Sequence, residues 1–79
     1  MDASEIAAVL AKAGWVRSRG GSEGFGVTGT AEGIVVYWTS PAWNPRTMER
    51  MIRNYEQSLR DRGYTTIRRK PHLVVTGKK

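Results

Sequence analysis

The chain has 79 residues, no cysteine and a formal net charge of +6 at pH 7. This length suits a single domain over residues 1–79 with a small core, and the lack of cysteine excludes disulfides and thiolate chemistry. No stretch approaches the ~18 apolar residues of a membrane span, and no signal peptide is recognisable. We therefore expect a cytoplasmic protein without membrane association.

The positive charge is concentrated in the second half of the chain. Residues 1–44 carry a net charge of −1, whereas residues 45–79 carry ten basic and three acidic side chains. Such an uneven distribution favours a surface directed at an anionic partner. Nucleic acid, either RNA or DNA, is the partner that we expect.

The first helix is predicted over residues 2–13. Asp2, with Glu5 three positions later, has the spacing of a capping box, and Gly14 is suited to follow the last helical turn. Apolar residues recur at helical spacing and predict one buried stripe: Ile6, Val9, Leu10 and Ala13.

Three strands are expected between this helix and the next. Residues 15–19 are the first, and residues 25–28 follow after a glycine-rich turn. Residues 34–39 are the third, and nearly all of them are β-branched or aromatic, as is typical of strands.

The second helix is predicted over residues 45–62. Asn44 and Pro45 are residues that commonly begin a helix, and Gly63 is suited to end it. Its buried stripe consists of Met48, Met51, Ile52, Tyr55 and Leu59.

A final hairpin completes the predicted fold. Its strands cover residues 64–69 and 72–76, with a turn around Lys70 and Pro71. The resulting order is αβββαββ, and the apolar residues suffice to bury one face of a sheet. The prediction is an α+β two-layer sandwich, with both helices on one face of a mainly antiparallel sheet.

A helix–hairpin pattern occurs twice. The first copy has Ile6, Leu10, Gly14 and Trp15 followed by Val27–Gly29, and the second has Tyr55, Leu59, Gly63 and Tyr64 followed by Val75–Gly77. We interpret residues 2–29 and 45–77 as related units, with strand 34–39 inserted between them and a flexible tail at 77–79. This equivalence predicts that Leu10 and Leu59 are both buried.

The sequence offers few residues for catalysis. His72 is the only histidine, the carboxylates show no close acid–base pair, and no metal-ligand spacing is present. The glycines at 24, 26 and 29 precede a strand rather than a helix, unlike a phosphate-binding loop. We expect no enzymatic activity, no metal and no cofactor, with His72 an exposed turn residue.

The second helix has a basic face opposite its apolar stripe. On a helical wheel this face contains Arg46, Arg50, Arg53 and Arg60. Glu49 and Glu56 lie four residues before Arg53 and Arg60 and are expected to pair with them. The other two arginines lack such partners in turns where the helix dipole disfavours cations. The face is either only solvated or a contact surface for phosphates.

Other candidate residues lie outside this helix. Arg68 and Lys70 of the final hairpin are expected to support the basic face; Arg69 points away from Arg68 on the strand. Trp43 either stacks on a base or packs on the helix as a hydrophobic staple. Tyr37 is a second possible stacking residue. It and its neighbour Trp38 point to opposite faces of the sheet, so one of them is expected on the open face.

Several short segments match one known family. They are residues 10–17, Gly21-Ser22, Phe25, the strand 34–37 and the helical segment 47–53. Residues 6–53 thus resemble the HicA-type toxins, small RNA-cleaving proteins with a double-stranded-RNA-binding-like αβββα fold. In that family a histidine after Gly-Ser carries the cleavage, and Glu23 stands at that position here. The resemblance implies the fold without the ribonuclease activity.

Two functions follow from these observations, with an enzyme of unrecognised type as a third. The first is a small non-catalytic nucleic-acid-binding protein that uses the basic helix. The second is a protein-interaction module, such as an accessory or inhibitor protein, that uses the open sheet face around Tyr37 or Trp38. The uneven charge favours the first.

Overall fold

The computed structural model describes all residues from 1 to 79. Its elements are α1 (Ala3–Lys12), β1 (Gly24–Gly29), β2 (Ile34–Thr39), α2 (Pro45–Arg60), β3 (Tyr64–Arg69) and β4 (His72–Lys78). The four strands form one antiparallel sheet in the order β1-β2-β4-β3. Both helices contribute to one core on one face of this sheet. The predicted α+β two-layer architecture is confirmed.

The sheet has four strands, because residues 15–19 do not form the fifth strand that we predicted. This segment makes a single parallel bridge, between Arg17 and Phe25. Residues 18–22 close a compact turn instead, in which Ser22 Oγ accepts from the backbone N–H of Arg19 at 2.9 Å. The turn brings the chain back parallel to itself, so no antiparallel hairpin forms at this edge.

The helix ends follow the signals in the sequence. Asp2 Oδ1 accepts from the backbone N–H of Glu5 at 2.9 Å, and Asn44 Oδ1 accepts from that of Thr47 at 2.9 Å. Both helices end within two residues of the predicted positions. The glycines at 14 and 63 have φ values of 100° and 90°, which other residues rarely adopt.

The core lies between the helices and the inner face of the sheet. Leu10 and Leu59 are both fully buried, as the repeat predicts. Tyr55 of α2 packs edge-on against the rings of Trp15 and Phe25, with centroids 5.8 and 5.9 Å away. The core therefore joins both helices and the sheet into one cluster.

The topology repeats one helix–hairpin unit, α1-β1-β2 and then α2-β3-β4. The strand order places β2 and β4 side by side in the centre, with Ile34 opposite Val75 and Val36 opposite Leu73. Residues 34–39 are therefore a central strand and the hairpin partner of β1. Val27–Gly29 lies in the edge strand β1, whereas the similar segment Val75–Gly77 lies in the central strand β4. The two segments therefore resemble each other in sequence but not in their position in the sheet.

Candidate nucleic-acid interface

A charged network attaches α2 to strand β3. Arg68 donates from Nη1 to Glu49 at 2.9 Å and from Nε to Glu56 at 3.3 Å. Its side chain is 26% exposed, and it lies on the same sheet face as the helices. Arg68 thus neutralises two carboxylates of α2 and holds the helix on the sheet.

Arg60 belongs to the same network. Its Nε donates to Thr66 Oγ1 at 2.9 Å, and its Nη2 lies 3.6 Å from Glu56 Oε2. The predicted pair between Glu56 and Arg60 therefore forms. Arg60 and Arg68, both sequence candidates, are used in contacts within the protein.

The predicted pair between Glu49 and Arg53 does not form. Because Glu49 is engaged by Arg68, Arg53 has no carboxylate within 4.0 Å of its guanidinium, and neither do Arg46 and Arg50. All three arginines are exposed. The structure therefore leaves three unpaired arginines on α2, where the sequence indicated two.

These arginines line an open groove of about 500 Å³ at the start of α2, together with Pro45 and Glu49. Arg46 and Arg53 are separated by about 10 Å along the helix axis. No acidic residue occupies the first turn of the helix, so the positive end of the helix dipole adds to their charge. The groove is a region of positive potential.

Glu49 is the only carboxylate in this groove, and its charge is compensated. The hydrogen bond from Arg68 lowers the pKa of Glu49, and the charges of Lys70 and Arg53 lower it further. Lys70, which the sequence suggests as a supporting residue, is exposed in the turn between β3 and β4, and its charge acts on Glu49. We name the four residues Arg46, Arg50, Arg53 and Lys70 the basic surface.

The two aromatic candidates lie on different sides of the molecule. Trp43 is 50% exposed and immediately precedes the N-cap of α2, beside the basic surface. Tyr37 lies on the open face of the sheet, where its ring covers Gly26 and meets the edge of His72 at a centroid distance of 6.1 Å. Trp43 therefore lies at the end of α2 that carries the arginines, whereas Tyr37 lies on the open sheet face.

Trp38, the other residue considered for the open face, lies in the core with 5% of its surface exposed. The open face instead has an apolar row across three strands. Val35, Val74 and Ile67 are register partners in this row, and Ile67 is 42% exposed. The alternation of side chains in strands places Tyr37 on the same face.

No cluster of three or more histidine, cysteine, aspartate or glutamate side chains has the arrangement of a metal site. Neither α1 nor α2 has the length and the apolar character that crossing a membrane requires. Comparison of the chain with family models, with curated proteins and with solved structures finds no match in any of the three.

Proposed function

We propose that this protein is a small non-catalytic nucleic-acid-binding protein, and that the basic surface on α2 contacts phosphates. The observation that carries the proposal is the group of arginines at 46, 50 and 53, which lack ion-pair partners within the protein. Arginine is well suited to phosphate because its planar guanidinium donates two parallel hydrogen bonds.

The basic residues differ in the contacts that they make within the protein, and this difference supports the proposal. Arg60 and Arg68 stabilise the attachment of α2 through Glu56 and Glu49, whereas the arginines of the basic surface make no such contact. Charges that do not stabilise the fold and that lie within about one Debye length of one another attract a polyanion together. Trp43, which is exposed and precedes the N-cap of α2, would stack on a base at the end of this surface.

The test is a salt titration of binding to duplex and single-stranded DNA and RNA of mixed sequence. Each phosphate contact releases counterions, so the logarithm of the affinity falls by about 0.9 per contact for each tenfold rise in salt on duplex DNA. The double variant Arg46→Ala/Arg50→Ala should weaken binding for all sequences and flatten this slope by about 2.

The matched control is Arg17→Ala/Arg19→Ala, which removes the same charge from two exposed positions outside α2. If it weakens binding as much as the α2 variant, net charge alone drives binding and the basic surface has no special role. If both variants bind as the parent does, the α2 arginines are only a solvated face.

A protein-interaction function of the open sheet face is the second candidate. The apolar row of Val35, Val74 and Ile67 is the observation that favours it, with Ile67 42% exposed. A parent protein that binds no nucleic acid at low salt would favour this candidate. Ile67→Glu would then be expected to abolish binding of a protein partner without unfolding the domain.

A further inference from the structure

A second cavity lies on the flank of α2, between this helix, the segment after α1 and the start of β1. Its volume is about 270 Å³, and its walls include the aromatic side chains of Trp15, Trp38 and Tyr55. Met51 forms part of the rim, and Glu23 is the only charged residue in the lining. The basic surface contributes no residue to it.

Two buried hydrogen-bond donors in this lining have no partner. Trp38 Nε1–H and the Tyr55 hydroxyl are out of contact with solvent, and no protein group accepts from them. The indole N–H of Trp15, the third aromatic residue of the lining, has a hydrogen-bond partner, because Nε1 donates to Ser58 Oγ at 2.8 Å. Buried polar groups without partners are rare and unfavourable in folded proteins, so this pair of donors indicates a missing acceptor.

The Tyr55 hydroxyl is held in its protonated form. Burial raises the pKa of Tyr55, and the negative charge of Glu23 raises it further. The phenol therefore stays protonated and remains a donor at neutral pH. The residues that line the cavity thus provide apolar aromatic walls, two donors that need acceptors and lie beneath the accessible surface, and one carboxylate that accepts.

We propose that this cavity binds an unstacked guanine base. Guanine is flat and carries two acceptors, O6 and N7, on one edge and an amino donor, N2–H₂, on the opposite edge. The acceptors match Trp38 and Tyr55, and the amino group matches Glu23. Adenine and cytosine present an amino donor on the edge where guanine has two acceptors, and thymine lacks an amino group.

Binding requires the rim to open, because neither donor atom is reached by solvent. Met51 is the residue suited to move: its side chain is unbranched and flexible, and its only polar contact is a weak one, at 3.9 Å between its sulfur and Asn54 Nδ2. Met51 lines the same cavity as Tyr55, about one helical turn earlier on α2, so we expect its displacement to uncover Tyr55.

The position of the cavity connects it with the basic surface. Met51 directly follows Arg50 and lies about 100° round the helix from it, so Arg50 is the arginine of α2's basic face that lies nearest to the cavity. A single strand with its phosphates on the arginines could place one base in the cavity. In this form the inference rests on the proposed function, whereas binding of free guanosine does not.

The experiment measures quenching of tryptophan fluorescence in a Trp43→Phe background, in which Trp15 and Trp38 remain as reporters. Guanosine should quench this fluorescence saturably and bind more tightly than uridine. Tyr55→Phe removes only the hydroxyl and should weaken guanosine binding about tenfold, the effect of one ordinary hydrogen bond. Its thermal stability should equal or exceed that of the parent, because a buried unpaired donor is removed.

Tyr37→Phe is the matched control, since it removes a hydroxyl from the opposite face of the sheet, and it should bind guanosine as the parent does. Glu23→Gln should also weaken binding, because the carboxylate accepts from N2–H₂. Equal binding of guanosine and uridine, or parental affinity in Tyr55→Phe, would overturn the proposal.

A second experiment distinguishes binding of free guanosine from binding of a guanosine within an oligonucleotide. Oligouridylates with and without one central guanosine are titrated against the parent and Arg46→Ala/Arg50→Ala. The arginine variant should lose affinity for both oligonucleotides and keep its affinity for free guanosine. Guanosine binding without any oligonucleotide binding supports the cavity and rejects the proposed function. Oligonucleotide binding with no preference for guanosine rejects the cavity and leaves the proposed function intact.

Discussion

The hydroxyl of Tyr64 donates a 2.6 Å hydrogen bond to Glu5 Oε2, across 59 positions of the sequence. Tyr64 is the first residue of β3, and Glu5 lies in the first turn of α1. The contact therefore joins the second helix–hairpin unit to the helix of the first. The carboxylate that the sequence suggested for a capping box is used in this tertiary contact instead.

This hydrogen bond predicts that the protein loses stability at alkaline pH. The bond to Glu5 and partial desolvation raise the pKa of Tyr64 above its ordinary value of 10.0. Above pH 10 the unfolded chain loses the phenolic proton before the folded chain does, so the unfolded state binds fewer protons and stability falls as pH rises. Tyr55 contributes in the same direction.

Tyr64→Phe tests this contact. The variant should be less stable than the parent at pH 7 by about 1 kcal/mol, and its stability should decline less steeply above pH 10. Urea unfolding measured across this pH range gives both quantities. A variant with the parent's alkaline decline would show that Tyr64 is not responsible for it.

The equivalent leucines of the two units predict a matched pair of core variants. Leu10→Ala and Leu59→Ala should each destabilise the protein by about 2–5 kcal/mol, because each removes a fully buried side chain and leaves a cavity. Val16→Ala is the control, since Val16 is 69% exposed and its substitution should change stability by at most about 0.5 kcal/mol. Thermal or urea unfolding measures all three, and a loss below about 1 kcal/mol at Leu59 would contradict the assigned core.

The sequence predicted the elements whose signals are local. Asn44 and Pro45 marked the start of α2, and the apolar stripe around Leu59 marked its buried face. The segment 15–19 has residues typical of strands, but a strand forms only where several consecutive residues pair with a neighbouring strand. The turn at 18–22 leaves it only Phe25.

The candidate site was predicted less completely, because ion pairing depends on tertiary contacts. Residue spacing along α2 paired Glu49 with Arg53, whereas the fold pairs Glu49 with Arg68, which lies 19 positions away. The cavity around Trp38 and Tyr55 had no sequence signal at all, since separate segments of the chain build it. Only the topology brings those side chains together.

Ribonuclease activity is the next property to test. In the resemblance to HicA-type toxins that the sequence suggests, Glu23 stands where that family has its catalytic histidine. His72, the one histidine of the chain, is an exposed residue at the start of β4. We predict that the protein does not cleave RNA under conditions in which it binds RNA. Gel analysis of an end-labelled RNA measures this. Metal-independent cleavage that disappears in His72→Ala would show the prediction to be wrong.

Glu49→Gln should have opposite effects on stability and on nucleic-acid affinity. Arg68 keeps the pKa of Glu49 below its ordinary value of 4.5, so the folded state favours the carboxylate. This contribution is present at pH values above 4.5 and is lost as pH falls through the lower pKa of the folded state. The variant should therefore be less stable than the parent at pH 7, and the difference should shrink in acid.

The same substitution removes the only negative charge from the groove of the basic surface. Because phosphate is attracted more strongly once this charge is gone, Glu49→Gln should bind nucleic acid more tightly than the parent at low salt, and the gain should shrink as salt screens the surface. Glu32→Gln is the matched control: its carboxylate pairs with Arg69, at 2.8 Å, away from α2. Equal gains in both variants would assign the effect to net charge, whereas a gain confined to Glu49→Gln would place the phosphates at the start of α2.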